Sequence, residues 1–157
     1  MTRLYGRAGR AERCRCSVPH GHWSTATFIA ALRHDRLTAP LLLDGPMDGD
    51  MFRAYVRKIL APELRPGDLV ICDNLSSHKV SGVREAVAEC GASLLYLPAY
   101  SPDLNPIELA FSKLKAFLRQ RAQRSFAGLR RATAQALDSF TPAHCTNFFR
   151  HAQYATD

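Results

Sequence analysis

The chain has 157 residues, of which 46% are hydrophobic and 22% charged. This length and composition predict one globular domain with a buried core, and they exclude a disordered or fibrous protein. No apolar run approaches the ~20 residues that cross a bilayer, so no membrane is expected as a partner. Lysine and arginine (21) outnumber aspartate and glutamate (14). The net charge of +7 therefore favours a polyanionic partner such as nucleic acid.

The five cysteines indicate a reducing compartment. Their number is odd, their spacing is not that of a disulfide framework, and no signal peptide precedes them. A cytoplasmic protein is the simplest interpretation. Cys14-x-Cys16 and His20-x-His22 could suggest zinc, but the two pairs lie closer together than in the usual structural zinc sites. We therefore disfavour a zinc site.

The first half of the chain predicts a hairpin followed by a helix. Residues 22–32 and 37–45 are rich in β-branched, aromatic and aliphatic residues and are separated by a short polar turn. Apolar residues at helical spacing predict a helix over 47–64, which Asp48 or Asp50 can cap. The chain therefore opens with two antiparallel strands and a helix.

The second half alternates strands with helices. A turn and a buried-type strand, LVIC, are predicted within 65–74, a short helix over 80–91, and another buried-type strand over 92–98. Three more helices are predicted, over 105–121, 125–140 and 141–154. This order predicts an α/β fold whose sheet is at least partly parallel. Functional groups gather at the carboxyl ends of the strands in such sheets.

Asp73 and Glu108 are the carboxylates that this topology could bring together. Each has a purely structural interpretation. Asp73 with Asn74 could close a strand by turn chemistry. Asn105 is a good helix N-cap, and Glu108 lies three residues after it, as in a capping box. Taken singly, each acid is explained without any chemistry.

Taken together, the two acids suggest a cation site. Asp73 lies between a hydrophobic strand and the polar run NLSSH. Three prolines in the loop before Glu108 restrict the conformation of the backbone that leads to it. Carboxylate oxygens are the ligands that Mg²⁺ prefers. Two such ions can activate a nucleophile and stabilise a leaving oxygen in phosphodiester chemistry.

The segments CDNLSSHK and YLPAYSPDLNPIE resemble the carboxyl-terminal part of a DDE transposase catalytic domain, in particular the bacterial insertion-sequence transposases related to mariner elements. Thirty-four residues separate Asp73 from Glu108, the spacing expected of that group. The resemblance implies a ribonuclease-H-like mixed sheet with flanking helices. It also implies DNA cleavage and strand transfer with two Mg²⁺ or Mn²⁺ ions, for which Asp73 and Glu108 would be catalytic residues and metal ligands.

The chain departs from the family pattern in one respect. The family places its first Asp in a D-E-[ST] segment on the first strand, and residues 1–157 contain no such segment. We interpret 1–157 as an amino-terminally truncated catalytic domain, with the first strand missing and no helix-turn-helix domain. Asp35 falls in the hairpin turn, and Asp44 ends a strand that the family fold places at the far edge of the sheet. Neither is expected to replace the missing Asp, so the chain is expected to be inactive alone.

The remaining site residues support or flank the two acids. Asn74, His78 and Asn105 are expected around the ligands; His78 could orient a water or a metal-bound carboxylate, or could flank the following helix. No acid lies between Leu109 and Leu137, whereas several cations do. Five of these cations are predicted to contact DNA phosphates: Lys113, Lys115, Arg119, Arg121 and Arg124.

Two functions from different classes follow. The first is the catalytic domain of an insertion-sequence transposase that acts on double-stranded DNA at the nucleoid, at element ends and target. The alternative is a non-catalytic DNA-binding or regulatory fragment that competes with an intact transposase or assembles with it. A homodimer is a further hypothesis. A ribonuclease-H-like nuclease with another nucleic acid substrate is disfavoured by the proline loop and the spacing of the two acids.

Overall fold

The computed structural model describes residues 6–15 and 25–154. Residues 6–15 are irregular and exposed, and Cys14 is among them. Cys16, His20 and His22 of the disfavoured zinc site lie outside the described residues, as does the start of the first predicted strand. Among the described residues, no helix is long and apolar enough to cross a membrane.

The predicted hairpin is confirmed. Strand β1 (Ala26–Leu32) pairs antiparallel with β2 (Leu37–Asp44), and the register shifts between Ile29 and Ala31, opposite one extra residue in β2. The Arg33 N–H donates to the Arg36 carbonyl (2.8 Å) and closes the turn. Phe28 and Ile29 are neighbours in β1 and therefore point to opposite faces of the hairpin.

The first helix is capped as predicted but is shorter than predicted. Helix α1 spans Gly49–Tyr55, and the Asp48 carboxylate accepts the Met51 N–H (2.8 Å). The chain then widens into a π-helical turn, Val56–Leu60, and ends in a 3₁₀ turn that contains Pro62. A proline ring clashes with the carbonyl four residues earlier in an α-helix, which explains why 47–64 is not one continuous α-helix.

The predicted parallel pair is confirmed. Strand β3 (Leu69–Cys72) pairs parallel with β4 (Ser93–Tyr96), and the crossover between them contains α2 (Val83–Ala88). The expectation that both strands are fully buried is wrong, because Leu69 and Leu95 are 55% and 48% exposed. Among the described residues, no layer covers these two side chains.

The last three helices match the prediction closely, with one exception at the start of α3. They are α3 (Ile107–Arg121), α4 (Phe126–Asp138) and α5 (Pro142–His151). Helix α3 begins two residues later than predicted, and no side chain caps it. The predicted capping box of Asn105 and Glu108 is therefore wrong: the Asn105 backbone carbonyl accepts the Glu108 N–H (3.1 Å) instead.

Two hydrophobic clusters support the two pairs of strands. The larger joins α1, the π-helical turn, α2 and β4, and Ile29 packs against it. The smaller joins α3 and α4, and Phe28 packs against it. The described strands thus form two separate two-stranded sheets, β1–β2 and β3–β4, between two helical layers.

Candidate functional site

A cavity of about 1140 Å³ lies between the two sheets. Its walls include residues of β1 and of β3, and aromatic residues from α1 and α3. Four carboxylates also line it: Glu63, Asp68, Asp73 and Glu108. Their surroundings divide these acids into two pairs.

One pair is held by hydrogen bonds within the chain. Arg33, just after β1, donates from Nη1 to Asp68 Oδ1 (3.2 Å), and its Nη2 contacts Asp68 Oδ2 and donates to the Glu63 carbonyl (3.0 Å). The hydrogen bond from Arg33 holds the pKa of Asp68 below its usual value. The Thr38 hydroxyl donates to Glu63 Oε2 (2.6 Å). Asp68 thus joins the end of β1 to the start of β3, and Glu63 joins the 3₁₀ turn before β3 to β2.

Asp73 has a different setting at the other end of β3. Its Oδ1 contacts His78 Nδ1, and its side chain is 41% exposed. The His78 ring stacks on Phe52 with centroids 4.2 Å apart, and the His78 carbonyl accepts from the Tyr96 hydroxyl (2.7 Å). The 3₁₀ turn that carries His78, Ser76–Lys79, was not predicted. Packing therefore fixes His78 against the Asp73 carboxylate.

Glu108 lies in the first turn of α3 and also lines the cavity. Among the described residues, no hydrogen bond or ion pair engages its carboxylate. The loop before it is tied down by a 3₁₀ turn, Pro102–Leu104, whose Leu104 carbonyl accepts from the Tyr154 hydroxyl (2.9 Å). Since its carboxylate does not cap α3, Glu108 is available as a ligand.

The structure brings most of the predicted site residues together. Asp73, His78, Asn105 and Glu108 all line the cavity, whereas Asn74 does not. The Asn74 Oδ1 is buried and, within the described part of the chain, has no hydrogen-bond partner. Asn74 thus follows Asp73 in the sequence but does not line the cavity.

Other groups near Asp73 do not extend the donor set. Burial, with a smaller effect of the Asp73 charge, raises the pKa of the Cys72 thiol to about 12, so this thiol stays protonated at neutral pH. Asp35 and Asp44 do not line the cavity, and Asp35 contacts Arg36 (3.0 Å). Across residues 6–15 and 25–154, no three histidine, cysteine, aspartate or glutamate residues are grouped to hold a metal ion.

The predicted DNA-binding cations are in two situations. Lys115, Arg121 and Arg124 are exposed and Arg119 is partly exposed. Lys113 instead donates from Nζ to the Ser139 carbonyl (2.9 Å) and lies 2.9 Å from His144 Nδ1. Burial lowers the pKa of Lys113. The ammonium of Lys113 thus links α3 to the junction of α4 and α5, a role that the basic run alone did not indicate.

Comparison with known proteins supplies a family and a fold. The family model described as "DDE superfamily endonuclease" matches residues 1–130. No curated protein sequence matches the chain. The Mos1 transposase catalytic domain solved with raltegravir and Mg is similar, with a TM-score of 0.66 and 16% identity over 82% of this chain and 76% of that one.

Two longer Mos1 structures also match. The Mos1 mariner paired end complex with Mn has a TM-score of 0.74 and 16% identity, covering 95% of this chain and 46% of that one. The pre-cleavage Mos1 transpososome has a TM-score of 0.72 and 14% identity, covering 97% and 47%. This chain thus spans about half the length of the transposase chain in those two complexes.

These likenesses confirm the predicted ribonuclease-H-like α/β fold, since identities this low carry information on the fold alone. The family itself rests on the sequence model, which covers most of the chain and both motifs that carry Asp73 and Glu108. The chain belongs to the DDE superfamily of endonucleases.

Proposed function

We propose that residues 1–157 are part of a transposase catalytic domain that cleaves double-stranded DNA and joins its strands with divalent metal ions. The observation that carries the proposal is that Asp73 and Glu108 line the same cavity in a DDE-family chain. Asp73 directly follows β3, and Glu108 lies in the first turn of α3, so each acid is held at the end of a packed element.

The donor set fits a hard cation in part. Asp73 and Glu108 would hold Mg²⁺ or Mn²⁺ through carboxylate oxygens, and His78 would keep the Asp73 carboxylate oriented. When bound, two such ions supply the charge that activates a nucleophile and stabilises a leaving oxygen. Asn105, whose carbonyl fixes the first turn of α3, keeps Glu108 facing the cavity.

Two carboxylates are one fewer than the DDE pattern requires. We therefore propose that residues 1–157 bind divalent ions weakly and do not cleave DNA by themselves. Binding to element ends and target DNA would use the exposed cations Lys115, Arg121 and Arg124 and the partly exposed Arg119. Assembly as a homodimer or with an intact transposase, at the nucleoid, belongs to the same proposal.

A nicking assay tests this function. The purified chain is incubated with supercoiled plasmid and Mn²⁺ beside the Asp73→Asn variant, and conversion to open circles is followed. The proposal expects no difference between the two proteins. Metal-dependent nicking by the unaltered chain that is lost in Asp73→Asn would show a complete site and overturn the proposed incompleteness.

A regulatory DNA-binding fragment is the second candidate, and the basic surface after Glu108 favours it. Phosphate contacts alone would give binding that weakens linearly with the logarithm of the salt concentration. Salt-dependent binding of duplex DNA that is equal in the unaltered chain and in Asp73→Asn, without cleavage in either, supports this candidate. Loss of binding in a Lys115→Ala/Arg119→Ala double variant locates it on α3.

A further inference from the structure

Helix α5 is followed by a Schellman motif, a turn that reverses the direction of the chain. The Gln153 N–H donates to the Arg150 carbonyl (3.0 Å), and the Tyr154 N–H donates to the Phe149 carbonyl (3.0 Å). Gln153 has a φ of +64°, the left-handed conformation that this motif requires. The Tyr154 ring packs edge-on against the Phe149 ring, with centroids 5.9 Å apart. Backbone bonds and a ring contact therefore fix Tyr154 against the end of α5.

The Tyr154 hydroxyl connects this motif to Leu104, which is 50 positions earlier in the sequence. It donates to the Leu104 carbonyl (2.9 Å), at the end of the 3₁₀ turn before α3. The next residue, Asn105, donates from its N–H to the Pro102 carbonyl (2.9 Å) and accepts the Glu108 N–H (3.1 Å). A series of hydrogen bonds thus leads from Tyr154 through this turn to the backbone of Glu108.

The end of α5 also lines both of the cavities that Glu108 lines. Phe149 and Tyr154 line the large cavity between the sheets together with Glu108. A second cavity, of about 120 Å³, is lined by Glu108 together with His151 and Ala152. The bond from the Tyr154 hydroxyl is therefore part of a wider approach of α5 to the first turn of α3.

The loop between β4 and α3 has few other contacts that fix its conformation. In the part of the chain that the structure describes, Tyr154 is the only residue more than three positions away that hydrogen-bonds to residues 98–104. Tyr100, within this loop, has a φ of +59° and a fully exposed side chain. A non-glycine residue in this region stores backbone strain, which persists only where the surrounding structure fixes the chain. The conformation of the loop therefore depends on the bond from Tyr154.

We propose that Tyr154 is a positioning residue for Glu108. Its hydroxyl fixes the 3₁₀ turn, and the turn fixes the backbone from which the Glu108 side chain extends. A cation site needs its donor atoms within about 0.5 Å of their binding positions, so a looser turn weakens the site. This inference rests on the proposed function in that Glu108 is a ligand of the cation. Tyr154 itself lies beyond residues 1–130, which the family model matches.

A phenylalanine variant tests whether the hydroxyl fixes the turn. Tyr154→Phe removes the hydroxyl but keeps the ring that packs against Phe149. Amide hydrogen exchange of the metal-free chain, resolved by residue with NMR, measures how often the turn opens. Loss of one hydrogen bond should speed the exchange of the Asn105 and Glu108 amides about two- to tenfold. The amides of α4 should exchange as they do in the unaltered chain.

Tyr100→Phe is the matched control, since it makes the same chemical change within the same loop. The Tyr100 side chain is fully exposed, so its hydroxyl is in solvent. This variant should leave the exchange of the Asn105 and Glu108 amides unchanged. Its affinity for Mn²⁺ should equal that of the unaltered chain.

Mn²⁺ tests whether the turn positions Glu108 for a cation. A bound Mn²⁺ broadens the NMR signals of nearby amides, so the unaltered chain should show broadening at both Asp73 and Glu108. In Tyr154→Phe, the broadening at Glu108 should fall relative to that at Asp73, and the Kd for Mn²⁺ should rise about two- to tenfold. A merely structural role of Tyr154 would not change the ratio of the two broadenings.

The outcomes separate this inference from the proposed function. Unchanged exchange at Asn105 and Glu108 in Tyr154→Phe overturns the inference, and so does an equal effect of Tyr100→Phe. Faster exchange with the same Mn²⁺ affinity and the same broadening at Glu108 also overturns it, because the turn then does not position the carboxylate. Absence of Mn²⁺ broadening at Asp73 in the unaltered chain contradicts the proposed function instead, and the exchange result alone then supports or overturns the role of Tyr154.

Discussion

The two ends of the cavity contain the same kinds of side chain in opposite situations. At the end that joins β1 to β3, Asp68 and Glu63 accept hydrogen bonds from Arg33 and Thr38. At the other end, the polar contacts of Asp73 with described residues are His78 and a distant backbone N–H, and no group of the described chain engages the Glu108 carboxylate. Acids that share one cavity thus differ in whether the chain itself neutralises them.

This difference separates acids that stabilise the fold from acids that remain available for a ligand. Removing one partner of a partly buried ion pair destabilises the protein, because the other charge is left buried without a partner. A carboxylate without a protein partner contributes little to stability and can bind an external cation. Exchanging each acid for its amide should therefore affect stability at one end and metal binding at the other.

The largest effect on stability is expected for Asp68→Asn. The substitution leaves the Arg33 guanidinium, 21% exposed, without its carboxylate. The free energy of unfolding should fall by about 1–2 kcal/mol, the range of a hydrogen bond to a charged group reduced by solvent screening. Urea denaturation measures it. Asp35→Asn, in the exposed pair with Arg36, is the control and should change stability by less than about 0.5 kcal/mol.

The same ion pair predicts a dependence on pH. Since Arg33 lowers the pKa of Asp68 in the folded protein, the contribution of Asp68 is fully present above its unfolded pKa of about 3.9. That contribution is lost as the pH falls through the lowered folded value. Thermal unfolding between about pH 6 and pH 2 should therefore show a smaller acid-induced loss of stability in Asp68→Asn. Parallel curves for the two proteins would contradict this.

A smaller effect is expected for Thr38→Val, at the same end. The change keeps the shape of a buried side chain but removes the hydroxyl that donates to Glu63 Oε2 (2.6 Å). Because the Glu63 side chain lies at the surface and can be hydrated, the cost should be about 0.5–1.5 kcal/mol. Chemical denaturation of Thr38→Val beside Thr38→Ser, which keeps the hydroxyl, separates this bond from packing.

The smallest effect on stability is expected at the other end. Asp73→Asn and Glu108→Gln should each change the free energy of unfolding by less than about 0.5 kcal/mol, since solvent screens the contact of the 41% exposed Asp73 with His78 and no described residue engages the Glu108 carboxylate. Calorimetry without divalent metal tests this. A loss of more than 1 kcal/mol, as large as that expected for Asp68→Asn, would mean that the two ends are not different in kind.

The sequence predicted the elements whose signals are local. The hairpin, the parallel pair and the Asp48 cap follow from alternation, hydrophobic runs and a capping residue. It predicted too long a helix over 47–64, because the apolar periodicity continues beyond Tyr55 through the π-helical turn and the 3₁₀ turn that contains Pro62. It also assigned Glu108 to a capping box, although the helix begins after Pro106 and the Asn105 carbonyl does the capping.

The motifs predicted Asp73 and Glu108, which line one cavity, but the sequence could not predict how the other acids are used. Arg33 and Asp68 are 35 positions apart, and no local pattern connects them. The engagement of Lys113 with Ser139 and His144 likewise depends on how α3 packs against the last two helices. Contacts of this kind are set by tertiary packing.

A Mn²⁺ titration followed by electron paramagnetic resonance tests most directly whether Asp73 and Glu108 share one ion. The unaltered chain is compared with Asp73→Asn, Glu108→Gln, the double variant and Asp68→Asn. We predict weak binding that each single variant abolishes as fully as the double variant does, with Asp68→Asn unchanged. Independent, additive losses for Asp73→Asn and Glu108→Gln, or a loss caused by Asp68→Asn alone, would contradict a shared site at this end of the cavity.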